Sequence, residues 1–278
     1  MDAKKRKQEQ EEADQRSSPS GAIVYKAIFK EACDELERPL SALFWSGVAA
    51  GLSMGASLVA EGLLASLLPN APWTPLISKF GYCMGFLIVI LGRQQLFTEN
   101  TLTPMLPLLQ EKTWQRLGSV ARLCGVVLLS NLLGALAVAW ACSKGSAFSP
   151  EARHQFSLIG LQAIDGSFGS HLVHGVFAGW LIALMVWMLP FAESARFWVI
   201  IVVSYVVGLG HFSHIVAGAV QTFYVAVTGE ASWADVAGRY LAPTLLGNVI
   251  GGTALVAAIN HAQIVSGKNR DDLKQSAH

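Results

Sequence analysis

The sequence predicts an all-α membrane protein: six transmembrane helices arranged as two inverted three-helix repeats, with the second and fifth helices broken. Three observations lead there. Of 278 residues, 53% are hydrophobic and only 14% are charged, against about 25% charged in an average soluble chain. The hydrophobic residues fall into runs long enough to cross a bilayer. Two of those runs are interrupted, at 92–100 and 208–214, with a common offset: Gly92 and Gly208 lie 116 residues apart, as do Thr98 and His214. A third pair, Asn131 and Asn248, agrees within one residue at 117. Broken helices at corresponding places in two halves of a membrane protein point to a transport site.

The net charge of +1 gives no case for a nucleic-acid partner. Membrane lipid is the expected surrounding. The cysteines Cys33, Cys83, Cys124 and Cys142 form no CxxC pair, and read as small core residues rather than disulfides. The polar start and the length of the first apolar run argue against a cleavable signal peptide.

Residues 1–21 are rich in charge and poor in apolar side chains, so a disordered cytoplasmic tail is expected. Residues 22–39 read as an amphipathic helix. Tyr25, Ile28, Phe29, Ala32 and Leu36 recur at helical spacing between charges, and Pro39 ends the run. A six-span pore domain follows over 40–265, with repeats at about 40–143 and 169–265 and a cytoplasmic tail at 266–278.

The first span runs from Leu40 to Leu68, where Gly47, Gly51 and Gly55 form a smooth stripe for a neighbouring helix. Leu76 to Gly92 makes about 26 Å of helix, slightly short of a ~30 Å hydrocarbon core. After the first break comes a half-segment, Leu102 to Leu109, and then a span from Leu117 to Cys142. Residues 143–168 read as the longest loop. The fourth span runs from about Gly169 to Leu189, with Gly175 and Gly179 four apart. Phe197 to Gly210, the second break and Ile215 to Val227 form the fifth, and Tyr240 to Ile264 the sixth.

Lys and Arg set the orientation. The N-terminal segment, the 110–122 loop, Arg196 and the tail are richer in them than the side holding Lys79, Lys144, Arg153 and Arg239. Both termini are therefore expected in the cytoplasm, and an odd number of spans per half makes the repeats inverted.

Unpaired backbone at membrane depth is tolerated only beside protein or a water-filled cavity, so both breaks should face a pathway. A half-helix that restarts there turns its N-terminal amides toward the break and favours an anion. His214 sits at such a restart. It is either a proton-carrying group or hydrogen-bonding glue. His211 has the same two readings. His171 and His174 are expected near the outer surface. With His211 and His214 they make two HxxH spacings, but acidic or thiolate partners are lacking nearby in sequence, so no metal is expected. Arg93 either draws anions to the cytoplasmic mouth or neutralises Glu99. Tyr82 and Phe86, one turn apart, either narrow a pore or pack. No nucleophile–base set or phosphate loop argues for an enzyme, and no cofactor is expected.

At these residues the sequence resembles the formate/nitrite transporter family. Leu96, Phe97 and Thr98 match the family's Leu-Phe-Thr in the loop breaking the second helix. Phe212 to Ala217 is similar to the segment around the family's central histidine, and Gly175 to Trp187 to its fourth-helix pattern. The resemblance covers roughly 22–265. It implies a homopentamer of aquaporin-like protomers in a bacterial-type inner (plasma) membrane. Each protomer would pass small monovalent anions such as formate or nitrite, with or without a proton. Two constrictions would flank a chamber holding His214. Thr98 is then the loop threonine, and Tyr82, Phe86 and Val207 fall at constriction positions, Val207 where the family often has Phe. Gln95 stands where an acidic residue is common, Gly179 where an Asn is, and Ala163 near the place of a Lys. Two other readings stay open. One is a neutral-solute channel of aquaporin type, which lacks its Asn-Pro-Ala pairs here. The other is a membrane protein that does not transport.

Overall fold

A computed structural model describes residues 21–144, 147–263 and 266. The tails expected at 1–21 and 266–278 lie outside the described residues, apart from Gly21 and Ser266. The described chain is helical. Helix α1 (Gly21–Leu36) precedes α2 (Leu40–Leu67) and α3 (Thr74–Leu91). A 3-10 turn at Glu99–Thr101 leads to α4 (Met105–Gln110) and α5 (Trp114–Ser143). Then come α6 (Pro150–Ile164), α7 (Phe168–Met188), α8 (Arg196–Leu209) and α9 (Ile215–Thr228). The last helix, α10, runs over Trp233–Gln263. Five helices are long and apolar enough to cross a membrane: α2, α3, α5, α7 with its short extension to Phe191, and α10.

Glycine stripes set the packing. A Cβ on Gly51 would lie 2.1 Å from the Asn131 carbonyl oxygen, and one on Gly134 would lie 2.4 Å from that of Val48. Helices α2 and α5 therefore touch backbone to backbone, as close-approach stripes allow. The same contact recurs between α7 and α10: a Cβ on Gly179 would meet the Asn248 oxygen at 2.3 Å, and one on Gly251 the Val176 oxygen at 2.2 Å. The α2–α3 crossing is equally tight: a Cβ on Gly81 would lie 2.3 Å from the Glu61 amide nitrogen.

The segment expected to be the longest loop contains α6. Ser149 caps it by accepting from the Ala152 amide at 3.2 Å, and Pro150 opens its first turn. Ala152, Phe156, Ile159, Gly160 and Ile164 form its buried stripe. Phe156 fills the space left by Gly62 of α2 and meets Tyr224 of α9 edge-on at 5.6 Å. Helix α10 contains two π-wound stretches, Val236–Leu241 and Ile250–Ala258. In the second, Gly252 makes room for Thr101, and Thr253 donates to the Thr101 carbonyl at 2.9 Å. The last helix thus braces the chain just after the first break.

Candidate functional site

The two breaks have one backbone design. Helix α3 ends with Gly92 donating to Ile88 O at 2.8 Å, Arg93 at φ 49° and Gln94 donating to Val89 O at 2.9 Å. Helix α8 ends with Gly210 donating to Val206 O at 2.9 Å, His211 at φ 49° and Phe212 donating to Val207 O at 3.0 Å. The backbone equivalence through the breaks is therefore 118 residues, not the 116 read from glycine spacing. Leu96, rather than Thr98, is the counterpart of His214.

Each break is clamped by one asparagine. Asn131 accepts from the Phe97 amide at 2.9 Å and donates to the Gly47 and Gln95 carbonyls, both at 2.8 Å. Asn248 accepts from the Ile215 amide at 2.9 Å and donates to the Gly175 carbonyl at 2.9 Å and the Ser213 carbonyl at 2.8 Å. A carboxamide carries both donors and an acceptor. It is the smallest side chain able to satisfy an amide and two carbonyls stranded by a broken helix.

Thr98 and His214 meet between the breaks, with Thr98 Oγ1 2.9 Å from His214 Nε2. His214 also caps α9, its Nδ1 accepting from the Ala217 amide at 3.2 Å. That bond occupies the Nδ1 lone pair, so the neutral ring carries its proton on Nε2 and donates to Thr98. A second proton has to displace the cap. Phe86 lies edge-on to the imidazole at 5.0 Å, with Tyr82 5.4 Å further along. Phe86, Leu96 and Thr98 are fully buried, and Phe97 nearly so.

Cavities approach this buried layer from opposite ends of α3 and α7. One, of about 240 Å³, is lined by Lys79, Tyr82, His174, Val207, His211 and His214 among others. The other, of about 650 Å³, is bounded by α1 together with Ile90, Arg93 and Gln95. His171 and His174, in the first two turns of α7, line the smaller cavity. His171 is buried, 3.3 Å from Ser213 Oγ and 3.4 Å from the Ile164 carbonyl. His211 lies 3.5 Å from Gln162 Nε2. Phe212 stacks on Phe177 at 5.2 Å, beside His174. Among the described residues, no group of three or more His, Cys, Asp or Glu side chains could hold a metal ion.

Arg93 does not pair with Glu99. It reaches Glu31 of α1 at 3.5 Å, with both side chains mostly exposed, an arrangement worth little. Gln95 instead bonds Glu35 of α1, and Asn100 donates to Gln95 Oε1 at 3.4 Å. Burial pushes the Glu35 carboxyl above the usual carboxylate range, against the pull of Gln95 and Arg38. Gly179 does not leave a gap, because the Asn248 backbone of α10 occupies that space. Ala163 lines the smaller cavity. Sequence spacing missed Lys79: grouped there with the flanking cations, it is buried and ion-paired to Glu61 at 2.5 Å.

Residues 22–262 match the family described as Formate/nitrite transporter. The inner membrane protein YfdC of Escherichia coli (strain K12) is 42% identical over 270 residues, covering 96% of this chain and 87% of that protein. The formate channel BtFdhC of Bacillus thuringiensis is 27% identical over 217 residues, covering 73% of this chain and 81% of its own. A solved structure described as a pentameric formate channel with formate bound superposes with a TM-score of 0.69 at 19% identity, covering 81% of this chain and 98% of that one.

Proposed function

The chain belongs to the formate/nitrite transporter family, and on that membership we propose that it carries small monovalent weak-acid anions through a pathway in each protomer. The observation that carries this reading is the His214–Thr98 hydrogen bond in the buried layer between two cavities. Phe86 packs edge-on against the ring, and a bare anion that crosses the buried layer does so at a cost of several kcal/mol. An anion beside the ring stabilises the imidazolium. His214 then takes a second proton on Nδ1 from water of the cavity it lines and gives up the Ala217 cap, a loss of about 1 kcal/mol. It passes a proton to the anion and returns to the neutral ring, and the acid crosses. Thr98 aligns Nε2 throughout.

The recurring asparagine clamps and glycine contacts support two inverted three-helix repeats, with α3–α4 and α8–α9 as the broken second and fifth helices. A homopentamer in a bacterial inner membrane, with both termini cytoplasmic, agrees with the relatives named above and with the Lys and Arg distribution. Helix α1 and the larger cavity then face the cytoplasm.

Flux into proteoliposomes tests the reading, with formate, nitrite, acetate, hydrosulfide and glycerol offered separately. Uptake of the weak-acid anions with glycerol excluded is expected. Glycerol uptake would favour a neutral-solute channel, and no flux of any kind would favour a protein that does not transport.

A further inference from the structure

Lys79 and Glu61 form an ion pair inside the helix layer, with Nζ 2.5 Å from Oε1 and residue exposures of 7% and 2%. The α2–α3 crossing at Gly81 brings the two side chains together. A buried pair is expected to satisfy its remaining donors and acceptors, since its desolvation cost is otherwise uncompensated. This one does not. Glu61 Oε2 has no hydrogen-bond partner among the described residues. Among the described residues Lys79 donates only to Glu61, although an ammonium has three donors. The pair is also polarised: Lys79 lines the 240 Å³ cavity and Glu61 does not. Its positive end is therefore what an occupant of the cavity meets.

We infer that this cavity is a binding station for one small monovalent anion, held by the Lys79 ammonium, which Glu61 positions and competes for. The inference rests on the transport reading above and adds a residue to it. The volume suits a few-atom anion, a liquid water taking about 30 Å³. Gln162 and His211 supply further polar contacts on the same wall. Glu61 behind the lysine and Asp165 on the cavity wall disfavour a second negative charge, so a dianion is rejected. The cation comes from α3, in a chain whose Ala163 lines the same cavity without charge.

The test measures the half-saturation concentration and maximal rate for formate in proteoliposomes holding wild type, Lys79→Arg, Glu61→Gln, or the double variant Glu61→Gln/Lys79→Met. The double variant removes both charges and leaves no unpaired ion. Its half-saturation is expected to rise about tenfold or more, the loss of one charge contact, with the rate-to-half-saturation ratio falling mainly through that rise. Lys79→Arg should stay within about threefold of wild type, since guanidinium keeps the charge. Glu61→Gln removes the competitor and should lower half-saturation. A double variant that saturates like wild type overturns the inference. If the double variant fails to assemble, Glu61→Gln decides, and an unchanged or raised half-saturation overturns it. Absence of wild-type flux of formate, nitrite, acetate and hydrosulfide alike overturns the transport reading as well, whereas wild-type flux with unaltered variants overturns this inference alone.

Discussion

Three residues past its left-handed turn, the first break carries Leu96 and the second carries His214. The turn and the clamp that lead to those two positions are the same. Each turn follows a helix ended by the same two backbone bonds, and each is tied by an asparagine to a small-residue stripe on a neighbouring helix. What differs is the chemistry at the restart and the cavity in front of it. The first break faces a 650 Å³ space rimmed by the charges of α1, and the second a 240 Å³ space rimmed by histidines, Lys79 and Asp165. The duplicated part of this fold is a way to open a helix safely inside a membrane. On the proposed reading, function enters through the few side chains that the two breaks do not share.

The largest expected effect breaks the shared part. Asn131→Leu and Asn248→Leu each strand one amide and two carbonyls, and a buried unpaired group costs about 1–3 kcal/mol. Each variant should lose at least ~3 kcal/mol, read as a collapse of thermal stability in detergent. Comparable losses are expected. Tolerance of one variant and not the other would end the equivalence of the breaks. Next come Gly51→Ala and Gly179→Ala, whose methyl groups collide with a carbonyl. Overpacking of this kind costs about 1–3 kcal/mol, and the melting temperatures of the two should fall together.

Smaller effects sharpen the difference. Thr98→Val leaves His214 Nε2–H without its acceptor, and flux should fall roughly tenfold for ~1.4 kcal/mol lost. The same substitution at Thr103, at the rim of the larger cavity, should change flux little. The smallest effect concerns α1. Glu35 has a raised carboxyl value in the fold. The docked helix therefore favours the protonated form, and its docking weakens as pH climbs from the ordinary carboxylate value through the raised one. Glu35→Gln should remove that slope. Hydrogen exchange of α1 at about pH 5 and about pH 7.5 measures it.

Much of this was legible in the sequence, because glycine spacing and interrupted apolar runs are local patterns with one physical meaning each. The stripes through Gly51 and Gly179 became close helix contacts, backbone against backbone. His214 and Thr98 were singled out, but not that they touch. Their bond depends on how the two halves face one another, which no spacing records. Helix α6 was missed although Ser149, Pro150 and the stripe through Phe156 announce it. Its modest length hid it among loop residues. Lys79 was misread because its partner Glu61 lies across the α2–α3 turn, and a lysine near the start of a span resembles any flanking cation. The break register slipped by two residues because Gly208 sits inside the last turn of α8, where Gly210, not Gly208, is the counterpart of Gly92.

The central claim is that the two copies differ functionally through the proton on His214. The most direct test compares formate uptake by wild type and His214→Asn at about pH 5 and about pH 7.5, on either side of the ordinary imidazole value. Asparagine keeps a cap for α9 and cannot titrate. Wild type should be faster at the lower pH, and the variant, assembled normally, should show little dependence on pH. The same acceleration at low pH in both proteins would contradict the account.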